Sequence, residues 1–105
     1  MNKSNIFDLI PATLKDELFE ELISKESLKI ERIISRGHTT PEHEWYDQRS
    51  NEWVILLQGE AILSFLNEND VRLKAGDYIN IPAHKKHKVS WTKPDEDTVW
   101  LAVHY

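Results

Sequence analysis

The chain has 105 residues, 40% of them hydrophobic, with a formal net charge of −5 and no cysteine. That length suits one domain and is too short for two independent cores. Without cysteine there is no disulfide framework or thiolate centre, and the acidic balance disfavours nucleic acid, whose phosphates require a basic face.

From the amino terminus, Leu14, Leu18, Leu22 and Ile23 fall at helical spacing, with Thr13 placed as an N-cap and Asp16, Glu17, Glu20 and Glu21 between them. The pattern predicts a short amphipathic helix over 12–24, inside an amino-terminal segment (1–26) that packs on the remainder of the chain. From Ser27 the apolar period falls towards two and turn residues recur, which predicts strands over 28–35, 52–58, 61–66, 71–73, 78–81, 88–92 and 98–105. Asn67-Glu68-Asn69-Asp70 reads as a hairpin turn, and Ala75-Gly76-Asp77 separates two further strands. Many short strands in one unit (27–105) point to a sandwich or barrel. The expected protein is soluble and cytoplasmic, because no stretch has the run of apolar residues that a signal peptide or a spanning helix requires.

The strand 52–58 is apolar on both faces, with Glu52, Val54, Leu56 and Gln58 on one and Trp53, Ile55 and Leu57 on the other. The last strand behaves alike, with Trp100, Ala102 and His104 opposite Val99, Leu101, Val103 and Tyr105. One face of each would line a lumen, and the other needs cover from the helix or a second copy; a homodimer is expected. Glu52 stands at the head of an apolar strand, where a carboxylate is costly to desolvate unless a partner meets it. His84 and His87, three apart after Pro82, cannot both point inward if that segment is extended.

Two glycine-anchored strings contain these residues: Gly37-x5-His43 with Glu52-x6-Gly59, and Gly76-x5-Pro82 with His87 after four more residues. They resemble the paired motifs of the cupin family over about residues 37 to 92. The resemblance implies an all-β, double-stranded β-helix (jelly-roll barrel) carrying the short amino-terminal α-helix, with inward-facing side chains of both strings meeting at one site. In that family three histidines and a glutamate typically hold a metal.

This sequence departs from the family pattern. Trp45 follows where a second histidine is usual, His84 replaces a glycine, and Trp91 replaces an asparagine. Two registers result. In one, His43, Glu52 and His87 are the ligands and Trp45 lines the pocket; in the other, Gln48, Glu52 and His87 face inward with Tyr46 beside them. The second is preferred, because it keeps the hairpin between the ligand strand and Glu52 and leaves the extra residues in a loop. Either set is weaker than three histidines and a glutamate for a divalent Fe, Mn, Ni or Zn ion. His104, if its face is luminal, is placed to hydrogen-bond a ligand, and Trp45 or Trp91 to stack on one near the mouth. The resemblance implies a barrel that binds a small organic ligand in its lumen, through a metal with dioxygenase- or isomerase-like chemistry, or without a metal as a binding or regulatory module.

Overall fold

A computed structural model describes residues 1–105 and contains eight strands: β1 (Leu18–Lys25), β2 (Leu28–Ser35), β3 (Glu52–Gln58), β4 (Glu60–Phe65), β5 (Val71–Lys74), β6 (Tyr78–Ile81), β7 (His87–Thr92) and β8 (Thr98–His104). They form a five-stranded sheet, β1-β2-β8-β3-β6, and a three-stranded sheet, β5-β4-β7, with every pairing antiparallel. The apolar faces of both sheets make one core, with Leu56, Ala61 and Ala102 at 0% exposure and Val54, Leu63 and Trp100 at 3% or less. This is the expected all-β jelly roll.

The helix predicted over 12–24 is absent, and its second half is strand β1. Lys25 pairs with Leu28 across a tight turn, so β1 folds straight back along β2. The helical spacing was produced by a β-bulge. Leu18, Glu20 and Ile23 all oppose outward residues of β2 (Ile34, Arg32 and Ile30), but the register shifts between Glu21 and Ile23. The extra residue moves the apolar phase by one, and the resulting interval mimics a helix turn. The chain contains no helix long and apolar enough to cross a membrane.

Cross-strand chemistry holds β1 in place. Arg32 is 5% exposed on the outer face of β2, where its guanidinium donates to Glu20 Oε1 at 2.7 Å and to the carbonyls of Ile6 and Asp8 at 3.0 and 2.6 Å. These bonds satisfy a buried cation and tether the amino-terminal segment to the sheet. Farther along the same face, Val99 and Ile34 are register partners and both are at 0% exposure within the single chain, whereas Leu101 and Val103 are half-buried.

Gly59 shows why the first string ends in glycine. It connects β3 to β4 with φ +90°, and a Cβ there would lie 2.7 Å from the Thr98 Cα. Gly76, at φ +95°, has nothing within 4 Å of such a Cβ, so only its backbone conformation requires glycine.

Candidate functional site

The register of the large sheet determines which side chains share the lumen. Residues directly opposite in an antiparallel pair face the same side, and Glu52 pairs with His104 while Val54 pairs with Ala102. Glu31 pairs with Ala102 across β2–β8, which puts it diagonal to His104 on the same face. The small sheet delivers His87 from the start of β7, opposite Phe65.

The loop before β3 completes the wall by running beside β7. Tyr46 N donates to the His87 carbonyl at 2.7 Å and His87 N to the Tyr46 carbonyl at 3.2 Å. His84 secures this loop from the other side. Its backbone adopts φ +64°, the left-handed region that explains why glycine is usual at this position, and histidine is among the side chains that tolerate it. His84 N donates to the Gln48 carbonyl at 2.8 Å, and its ring meets Asp47 Oδ1 at 2.9 Å.

A cavity of about 60 Å³ lies between the sheets, with room for several waters or a small organic group. Ile33, Val54, Leu63, Ile81, Val89 and Trp100 supply its apolar wall, and Tyr46, Gln48, Glu52, His87 and His104 line it with Glu17, Phe19 and Glu31. Five of the residues proposed from sequence therefore meet. His43, Trp45 and Trp91 do not reach the cavity. His43 is exposed in a turn, Trp45 lies outside under the Lys88 ammonium at 4.6 Å, and Trp91 faces outward on the small sheet beneath the Arg72 guanidinium at 5.2 Å. The register through Tyr46 and Gln48 is the one that faces the lumen.

Glu17, Phe19 and Glu31 were missed by sequence reasoning. Glu17 and Phe19 carried a helix pattern, and a single charged residue in a strand reads as solvent-facing. One signal was present: Glu31 and Arg32 are adjacent in the apolar run Ile30 to Ile34, so a strand there must aim one of the two charges inward.

Both luminal histidines are oriented by acceptors. His87, 4% exposed, donates Nδ1–H to the Lys85 carbonyl at 2.8 Å, which leaves Nε2 facing Glu52 Oε1 at 3.4 Å. Burial disfavours the charged ring, but the Glu52 carboxylate and the Lys85 carbonyl outweigh it and raise the His87 pKa. His104 Nε2 lies 2.8 Å from Glu31 Oε1, a bond that holds the Glu31 carboxyl below the usual carboxylate range against its burial. Glu17 behaves oppositely. Burial raises its pKa, and the Ser35 hydroxyl bound to it, itself accepting from Trp100 Nε1 at 3.2 Å, only partly offsets that.

The family model for the cupin domain matches residues 31–104. The chain belongs to the cupin family. Along 99% of its length it is similar, at 40% identity and a TM-score of 0.94, to a solved structure from Ralstonia eutropha named "putative mannose-6-phosphate isomerase", covering 97% of that chain. It also resembles in fold a cupin superfamily protein from Desulfitobacterium hafniense (21% identity, 90% of this chain and 82% of that one, TM-score 0.74). A cupin with a double-stranded β-helix fold from Methanocaldococcus jannaschii is comparable (19% identity, 91% and 85%, TM-score 0.69). No curated protein gives a significant match.

Cupins commonly hold a metal, and the donor chemistry of this one can be tested for it. His87 Nε2 and Glu52 face one another, but no third His, Asp or Glu side chain converges with them. His104, the register partner of Glu52, spends Nε2 on Glu31. Gln48 and Tyr46 add only a neutral amide and a phenol whose pKa is raised, first by burial and then by the Glu17 charge. The residues do not fit a closed metal centre.

Glu17 yields a pH prediction. A carboxyl whose pKa is raised by folding contributes stability that is fully present below its unfolded value, 4.5, and lost as pH rises through the higher folded value. Glu17→Gln keeps an acceptor for Ser35 and removes that loss. Thermal melts should place Glu17→Gln a few degrees above wild type at pH 8 and level with it at pH 4, and equal melting temperatures at pH 8 would refute the assignment.

Proposed function

We propose that this cupin binds one small hydroxylated carbonyl compound in its lumen and that Glu52 and His87 move protons on it. The observation that carries this reading is the apolar-walled cavity into which one carboxylate and one imidazole face from opposite sheets, 3.4 Å apart. A carboxylate in such a place can take a proton from a carbon next to a carbonyl. An imidazolium whose pKa is raised can give one to the carbonyl oxygen. Together these steps shift a double bond through an enediol, the proton chemistry of an isomerase, and the name carried by the Ralstonia eutropha relative supports that class and a sugar-like ligand.

Tyr46, Gln48 and the Glu31–His104 pair supply hydrogen-bonding groups around the polar end of the cavity, while Ile33, Leu63 and Trp100 make the other walls apolar. An anionic group is a poor occupant of the lumen. Glu17, Glu31 and Glu52 line it, and no lysine or arginine does. A homodimer through the half-exposed outer face at Leu101 and Val103 is part of the same proposal, and sedimentation of the wild-type chain as a monomer would remove it.

Dihydroxyacetone is small enough to probe the cavity. In deuterated buffer, NMR should show the protein accelerating exchange of its carbon-bound protons, and Glu52→Gln should slow that catalysis about 100-fold, the scale of a lost general base. Equal rates for the two proteins would overturn the proton-transfer reading. The untagged protein should carry well under one equivalent of Fe, Mn, Ni or Zn. A full equivalent lost in both Glu52→Ala and His87→Ala would replace this reading with a metal-dependent one.

A further inference from the structure

One wall of the lumen comes from outside the residues that the cupin model matches. That match begins at residue 31, yet Glu17 and Phe19 line the cavity. The segment leading to them is fixed through its backbone. Arg36, paired with Asp97 at 2.6 Å, donates to the carbonyls of Pro11 and Ala12 at 3.2 and 2.9 Å. His38 accepts the Arg36 N–H on Nδ1 at 2.9 Å, so its Nε2 carries the ring hydrogen and donates to the Lys15 carbonyl at 3.2 Å. These held carbonyls run directly up to Glu17.

A short hydrogen-bonded chain then decides which oxygen of Glu17 is free. The Trp100 indole can only donate, and it donates to the Ser35 hydroxyl oxygen at 3.2 Å. Ser35 has one hydrogen of its own, and Glu17 Oε2 accepts it. A proton on the carboxyl must therefore sit on Oε1, the oxygen left for an occupant of the cavity. Ser35 is at 0% exposure and Trp100 at 3%, so water does not compete for this arrangement. Burial is the dominant influence on Glu17, and it favours the protonated carboxyl against the Ser35 bond and the His38 charge.

Glu17 and the acid–base pair stand towards opposite ends of the inner face of the large sheet. Ser35, which holds Glu17, pairs with Thr98 at the start of β8, whereas Glu52 pairs with His104 at its end. We propose that Glu17 is a specificity-determining residue of the lumen, donating a hydrogen bond from Oε1 to an acceptor oxygen at the end of the ligand remote from Glu52 and His87. The inference rests on the proposed function for the reacting end of the ligand and adds what the other end must carry. An ether, carbonyl or hydroxyl oxygen there satisfies the donor, while a methylene leaves a buried O–H without a partner. The titratable groups around Glu17 are His38 after β2 and Tyr46 before β3, with Glu31, Glu52, His87 and His104 elsewhere on the lumen wall.

Two ketones of matched shape test this: 1-hydroxy-3-methoxypropan-2-one, with an ether oxygen in its tail, and 1-hydroxypentan-2-one, with a methylene in its place. Each is titrated into labelled protein and followed by the amide NMR signals of Val54 and Leu63, which line the lumen. The ether-to-methylene affinity ratio should be about fivefold larger in the wild type than in Glu17→Met, the scale of one buried hydrogen bond. Glu17→Gln, whose amide can accept from Ser35 and donate to the ligand, should keep the wild-type ratio. As pH rises through the titration of Glu17, read from its side-chain ¹³C signal, the ratio should fall in the wild type and stay constant in Glu17→Gln. Equal ratios in the wild type and Glu17→Met, or a Glu17→Gln that behaves like Glu17→Met, would overturn the assignment. Binding of neither compound would remove the ligand class proposed above and this inference with it. If the ratios behave as expected while Glu52→Gln leaves the proton exchange of dihydroxyacetone unchanged, Glu17 keeps its role and the proton-transfer reading falls.

Discussion

Burying carboxylates inside a barrel this small is the constraint on which the rest of the site depends. Glu31 and Glu52 are 7% and 9% exposed on the inner face of the large sheet, where an isolated charge would pay several kcal/mol of desolvation. Each is met by a histidine from a different strand, His104 on β8 and His87 on β7. The first pair lies within the large sheet, and the second spans the two sheets. Glu17 lacks such a partner. Only the Ser35 hydroxyl bonds it, and its proton is correspondingly harder to remove.

The same pairing governs the chemistry. A histidine that donates Nδ1–H to a backbone carbonyl presents Nε2 in a fixed direction, as metal-ligating histidines do. In this chain Nε2 of His87 faces a carboxylate, and the nitrogen that could have joined it, Nε2 of His104, is engaged by Glu31. Tyr46 and Gln48 stand where the family's histidines are usual, and the same lumen carries the carboxylates Glu17, Glu31 and Glu52. What remains is an acid–base pair in an apolar chamber with a hydrogen-bonding rim, and that arrangement serves proton transfer directly.

Much of the fold was legible because period-two alternation is strong where both faces of a strand are covered. β2, β3 and β6 begin and end where the pattern placed them. β1 was not legible: a bulge at Leu22 shifted its phase, and nothing in the sequence marks a bulge that lacks glycine. At the site, the glycine frames located Glu52 and His87, and hairpin geometry chose Tyr46 and Gln48 over His43 and Trp45. Trp91 failed because a bulge between Val89 and Trp91 breaks the alternation along β7 and turns its ring outward, away from His87. Glu17 and Glu31 required the three-dimensional register, since their inward direction follows from pairing with Ser35 and His104 and from no local motif.

Glu52 and the Lys85 carbonyl together hold His87 as an Nδ1-protonated ring with a raised pKa. Long-range ¹H–¹⁵N NMR of the histidine side chains measures tautomer and titration together. Nδ1 of His87 should stay protonated across the titration, the ring should keep its second proton above the ordinary histidine value of 6.5, and Glu52→Gln should lower that midpoint. A His87 that titrates at or below 6.5 in the wild-type protein, or whose neutral form carries its proton on Nε2, would contradict it.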